Sequence, residues 1–302
     1  MEDVYDSNGH GTLCALTVNS ICPNIEIYPI KIFDESGRGS SASLLKVLKN
    51  LYYTDIRVIN ISASFDSSTY EKEILDICSK LKENGKMIVA SNYNNEIKTS
   101  RLACMECVIG VDKLKNALYD YEIYCNIDEK IQIKGNNCEC FYYISDGYEL
   151  FGNNSRLSCV VAGYISKILL NNSALSFEEI QMELEKLSYN YKEKFLSMYN
   201  VGYVEHYRKY YDLLLKILND KYLYDKKERI DIYELLEFGI LNPLTIIDKH
   251  NVDAFVDEIN KNFNTKIHLE GVFLHQVTRV NSLIELIIKN RMEDKYDKKC
   301  LC

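Results

Sequence analysis

The residue best placed for chemistry lies in Leu150-Phe151-Gly152-Asn153-Asn154-Ser155-Arg156-Leu157-Ser158-Cys159-Val160-Val161-Ala162-Gly163. This stretch reads as a tight polar turn entering a buried, nearly all-apolar helix that continues to Leu170. Ser155 falls in the first helical turn, where unpaired backbone N–H groups and the positive end of the helix dipole favour a developing anion. A serine so placed can be a nucleophile whose own N–H helps to hold the oxyanion. The same residues also read as an ordinary helix cap. Two other stretches bear on the choice: Asp6-Ser7-Asn8-Gly9-His10-Gly11-Thr12-Leu13-Cys14-Ala15-Leu16, with its histidine between glycines, and Met87-Ile88-Val89-Ala90-Ser91-Asn92-Tyr93-Asn94-Asn95-Glu96.

The elements that must position these residues alternate between strand and helix. A helix is expected over 10–20, entered at the Gly-His-Gly turn, with Leu13, Leu16 and Thr17 on one face. Ile25–Phe33 reads as a buried strand, followed by a glycine-containing loop and a helix capped by Ser40 or Ser41 that reaches Tyr52. Strands are expected at 58–62, 86–91 and 108–111, with a helix at 69–84 between the first two. Less regular strands follow around 118–125, 129–134 and 139–144. Such alternation implies parallel βαβ units, a sheet covered by helices on both faces. Ser176-Phe177-Glu178-Glu179 is a capping box opening a helix to Leu187.

Taken together, these stretches resemble the subtilisin-like serine proteases. His10 matches the general base of the family's His-Gly-Thr motif, Asn94 its oxyanion-hole asparagine, and Ser155 its nucleophile. Val58-Ile59-Asn60-Ile61-Ser62-Ala63-Ser64 resembles the family's Val-Ile-Asn-Met-Ser-Leu-Gly, which lines the substrate cleft and pairs with an extended peptide. Ser64 stands there in place of glycine. Asn153-Asn154 replace Gly-Thr before the serine, Cys159 replaces proline and Val160 replaces histidine. Tyr199–Val204 resembles the family's closing element, so the resemblance covers residues 1–207. The aspartate that the family places behind its histidine lies well upstream, beyond the nine residues that precede His10 here. Asp3 and Asp6 do not match it. The resemblance therefore implies a segment or a partner subunit that supplies this aspartate, or else a degenerate relative.

The remaining residues, 208–302, change character. An amphipathic helix at 207–219 is followed by Ile230–Leu244, a helix ending near Phe263, and a last helix from Val280 to Lys289. This part resembles the acyl and peptidyl carrier proteins, with Gly239-Ile240-Leu241-Asn242-Pro243-Leu244 at the attachment motif. Pro243 stands where the carrier serine belongs and has no hydroxyl to carry a phosphopantetheine arm. The helix after it reads as longer than usual. An unrelated helical bundle is the alternative.

Composition bounds the rest. With 302 residues, 26% charged and 47% hydrophobic, the chain can bury a large core. Its net charge of −8, without a basic cluster, argues against nucleic acid as a partner. The eleven cysteines include a CxxC at Cys104 and Cys107 and a CxC at Cys138 and Cys140, but no second pair stands at zinc-site spacing. Cys14, Cys78 and Cys159 fall in apolar helical patterns and read as small core residues. Neither a secretory signal nor a membrane span is evident, which points to a reduced, cytoplasmic setting. The expectation is an α/β subtilisin-like domain over 1–207 and a small all-α carrier-like bundle over 208–302, with no cofactor and no metal. The function expected is serine-type hydrolysis of a peptide or protein substrate, weakened by the absent aspartate. The rivals are an inactive peptide-binding relative and a docking protein acting through its C-terminal part within a processing assembly.

Overall fold

The computed structural model describes residues 6–34, 37–66, 69–95, 97–114, 123–136, 138–144, 147–188, 202–225 and 227–292. The chain divides into two compact units: residues 1–137 with 151–196, and residues 138–150 with 197–302. The second unit thus takes the strand expected at 139–144, which the sequence groups with the first 207 residues.

Unit 1 is built on a five-stranded sheet. Its strands are β1 (Val58–Ile61), β2 (Met87–Ser91), β3 (Ile109–Lys113), β4 (Ile123–Cys125) and β5 (Ile133–Gly135), in the order β1-β2-β3-β5-β4. All neighbours are parallel except β4, which runs antiparallel to β5. Side chains leave successive residues on opposite faces, and the core follows that rule. Ile59, Ile61, Ile88 and Ala90 join Leu48, Ile74, Leu81 and Val108 in one apolar cluster. Met87, Val89, Ile109, Val111 and Ile133 join Leu157, Val161, Ile165 and Ile180 in another. β2 is buried throughout, as a central strand covered on both faces must be.

The first cluster holds α2 (Ser41–Leu51) and α3 (Glu71–Glu83); the second holds α4 (Asn153–Asn171) and α5 (Phe177–Leu187). Each begins near where its sequence signal lies. Ser40 accepts the Ser43 N–H at the start of α2, and Ser176 and Glu179 close a reciprocal capping box on α5. α1 (His10–Ile21) packs against α4. A Cβ on Gly163 of α4 would lie 2.6 Å from Ile21 Cβ, so only glycine permits the two helices this approach.

One expectation fails. Ile25–Phe33 forms no strand, and Ile27, Tyr28 and Ile30 are exposed, at 40%, 63% and 46%. A buried strand needs a neighbour for its backbone N–H and C=O groups. None of the described segments pairs with this one, and β1 is left as the edge of the sheet. An apolar pattern alone cannot supply the ladder.

Unit 2 has its own core, made of α6 (Arg208–Lys221), α7 (Ile232–Phe238), α8 (Val252–Phe263), α9 (Leu274–Thr278) and α10 (Val280–Lys289). A two-stranded hairpin, β6 (Cys140–Ile144) and β7 (Gly147–Phe151), joins it: Cys140 bridges to Phe273, and Phe141 lies in the core. Polar side chains tie the loops. Tyr211 Oη donates to Asn281 Oδ1, and the Asn260 side chain holds Thr265 and Ile267. The long helix expected after Pro243 is also corrected. Asn242 Oδ1 accepts the Leu244 N–H, Asn242 Nδ2 donates to Gly239 O, and Asp248 and Asn251 bond each other's turn. These local bonds compete with helix, and α8 starts only at Val252 and spans 12 residues. Tyr199, Asn200 and Val201 of the expected closing element lie outside the described residues.

Candidate active site

Ser155 and Asn94 meet at the carboxyl ends of β1 and β2, where open parallel sheets ordinarily bind ligands. The anchor is the turn into α4. Asn153 there has φ +60°, a left-handed conformation that glycine adopts freely and that asparagine tolerates better than other residues. Substitution of asparagine for glycine at this point therefore keeps the turn.

Asn154 is 1% exposed and serves as the turn's tie. Its Nδ2 donates to Asp112 Oδ1 at 2.9 Å, to Tyr93 O at 2.9 Å and to Asn92 O at 3.3 Å. Asn92 Nδ2 donates to the other oxygen of Asp112 at 2.9 Å, while Asn92 Oδ1 accepts the Ser100 N–H at 2.7 Å. The Asn154 N–H donates to Asn94 Oδ1 at 3.1 Å, and Lys113 Nζ holds Asn94 O at 3.2 Å. The loop after β2 and the start of α4 are thus stitched together by bonds that Asn154 donates from both its side chain and its backbone.

Ser155 follows directly. Its Oγ donates to Ser62 O at 3.2 Å. The first intrahelical bond of α4 runs from Arg156 N–H to Gly152 O, and the Ser155 N–H makes no hydrogen bond among the described residues. Asn94 Nδ2 makes no hydrogen bond among the described residues, and its Oδ1 is fixed one residue from Ser155. The structure therefore brings Asn94 and the Ser155 turn together.

His10 is the first residue of α1. Asp6 caps the helix: its carboxylate accepts from Gly9 N–H at 3.1 Å, Thr12 N–H at 2.7 Å and Thr12 Oγ1 at 2.8 Å. Partial burial works to raise the Asp6 pKa, but the Thr12 and Gly9 hydrogen bonds outweigh it and hold the carboxyl below its ordinary value. The His10 ring packs edge-on to Phe151, with centroids 5.5 Å apart. Its Nδ1 faces Cys14 Sγ at 3.7 Å. The contact with Cys14, acting against burial and helped by the charge of Asp6, raises the pKa of His10. No hydrogen bond joins His10 to Ser155 among the described residues.

Sequence reading missed several participants. Asn154 and Asp112 look like ordinary turn and strand residues, and only the fold reveals that they meet. Cys14 carried a readable signal, its position four residues after His10 on one helical face. Behind it Cys159 is fully buried and donates to Ser155 O at 3.1 Å, with Ser62 Oγ and Asn60 Nδ2 each 3.3 Å away. A hydrogen bond to Cys159, and then burial, push the Cys14 thiol up.

Unit 1 has the subtilisin-like α/β fold. A cold adapted subtilisin-like serine proteinase superposes with a TM-score of 0.50 at 17% identity, over 60% of this chain and 68% of its own. Residues 1–133 match the model of the subtilase family, peptidase S8. Subtilisin DY of Bacillus licheniformis is 26% identical over 209 residues, 63% of this chain and 74% of that protein. Alkaline elastase YaB of Bacillus sp. (strain YaB) is 25% identical over 203 residues, and the chain spans about half, 52%, of its length. Among the described residues, no helix is long and apolar enough to cross a membrane.

Proposed function

We propose that the chain is a serine-type peptide hydrolase in which Ser155 is the nucleophile, His10 the general base and Asn94 the oxyanion donor. The observation that carries this reading is the joint between the loop after β2 and α4: Asn94 is bonded to the residue preceding Ser155, and neither the Ser155 N–H nor Asn94 Nδ2 makes a hydrogen bond among the described residues. Two such donors, one in the first turn of α4 and one on the loop after β2, are what a tetrahedral oxyanion requires. Similarity to subtilisin DY and to alkaline elastase YaB supports the same roles. The substrate is an extended peptide that adds to the edge of β1, which pairs with no other strand on that side among the described residues.

An aspartate at His10, supplied on a strand by another segment or by a partner subunit, would add the charge that stabilises the imidazolium. In subtilisin, loss of the aspartate alone costs about 3 × 10⁴ in kcat, so hydrolysis without such a group at His10 is slow. The nine free cysteines among the described residues favour a reducing, cytoplasmic setting. Unit 2 fits a docking or carrier-like bundle without an attached arm, because Pro243 offers no hydroxyl.

A second reading, a peptide-binding relative without turnover, is favoured by the bond of Ser155 Oγ to Ser62 O rather than to His10. Cleavage of an unfolded protein substrate separates the two. Slow fragment release that stops in Ser155→Ala, and that falls about 10²- to 10³-fold in Asn94→Ala, supports hydrolysis. Tight peptide binding with no release favours the second reading.

A further inference from the structure

We propose that Cys14 is the positioning residue of His10, its Sγ accepting the Nδ1–H and so holding the imidazole in the tautomer whose Nε2 can take a proton. The inference rests on the reading of His10 as the base. A histidine base needs one ring nitrogen tied so that the other presents its lone pair. Among the described residues the group at His10 Nδ1 is the Cys14 thiol, 3.7 Å away and one helical turn on.

The surroundings fix both ends of this contact. Phe151 packs edge-on against the imidazole and limits its rotation. Cys159 neighbours Cys14 and donates to the carbonyl of Ser155. A short thiol chain therefore runs from the base on α1 to the backbone of the proposed nucleophile on α4. The titratable groups facing His10 among the described residues are Cys14 on its own helix and Asp6 in the preceding turn, with Cys159 of α4 behind Cys14. The bond to Cys159 and burial keep Cys14 in its neutral form. It offers His10 a sulfur lone pair rather than a charge, so it sets the tautomer but stabilises the imidazolium less than a carboxylate would.

The test compares the wild type with Cys14→Val, which fills the space without sulfur, and Cys14→Ser, which keeps a hydrogen-bonding group. Two readouts are taken: the His10 pKa from its imidazole NMR signals, and the rate of Ser155 labelling by a fluorophosphonate. The expected result is a lower His10 pKa in Cys14→Val, labelling slower by about three- to tenfold, the worth of one net hydrogen bond, and partial recovery of both in Cys14→Ser. A His10 pKa that is the same in Cys14→Val as in the wild type would overturn the proposal. The titration needs no activity: failure of the wild type to label at all would sink the hydrolase reading, while the shifted His10 titration would still report the contact.

Discussion

The two ends of the candidate site are held very differently. At the serine end, Asn154, Asn94, Asn92 and Asp112 bind one another and the backbone through bonds of 2.7–3.3 Å, and one oxygen of the tie is a carboxylate. At the histidine end, the ring is met by an aromatic edge and by one sulfur at 3.7 Å. The difference follows from the sheet. Asn92 and Asn94 follow the fully buried β2, and Asp112 lies on β3, each paired with neighbouring strands. His10 depends on a helix whose following segment, 25–33, joins no ladder among the described residues. The serine end rests on paired strands, and the histidine end on a helix packed against α4.

Breaking the serine end should have the largest effect. Asn154→Ala removes three hydrogen bonds and leaves buried acceptors behind, and should cost about 3 kcal/mol by urea unfolding with an unchanged m-value. A loss below about 1 kcal/mol would show that the network does not hold the turn. Gly163→Ala tests the joint between the ends. Its new methyl would press on Ile21 and should cost about 1–3 kcal/mol, while slowing any Ser155-dependent reaction more than Asn154-remote variants of equal stability do.

The histidine end should respond less. Asp6→Ala removes the cap of α1 and should cost about 1 kcal/mol at neutral pH. Because the folded Asp6 pKa lies below its ordinary value, the stability it contributes is present above the unfolded pKa and is lost as pH falls through the folded one. The difference between wild type and Asp6→Ala should therefore shrink in acid, and a constant difference would refute the assignment. The smallest effect is a gain: Asn153→Gly relieves the left-handed turn and should stabilise the protein by less than about 1 kcal/mol, whereas a destabilisation would mean that the asparagine side chain itself holds the turn.

Much of unit 1 is written locally. Apolar periodicity and caps delimit α1 to α5 within a residue or two, because Ser40, Ser176 and Glu179 act on their own helices. Ile25–Phe33 was misleading because a strand is a property of pairs, and its apolar pattern says nothing of a partner. The turns at 242–251 were missed because asparagine and aspartate side chains outcompete helix there through bonds to their own backbone. At the site, Ser155, His10 and Asn94 stand in recognisable motifs. Asn154 and Asp112 stand 42 residues apart, and their meeting depends on β3 and α4 packing on one face of the sheet. Cys14 was read as a core residue from its apolar neighbours, although its spacing from His10 already allowed contact.

The central claim is that the two ends form one site in which His10 activates Ser155. Reaction with a fluorophosphonate, followed by peptide mass mapping in the wild type and in His10→Ala, tests it most directly. The account predicts one slow adduct, on Ser155, that forms much more slowly without His10. An adduct on another residue, or a Ser155 rate indifferent to His10, would contradict it.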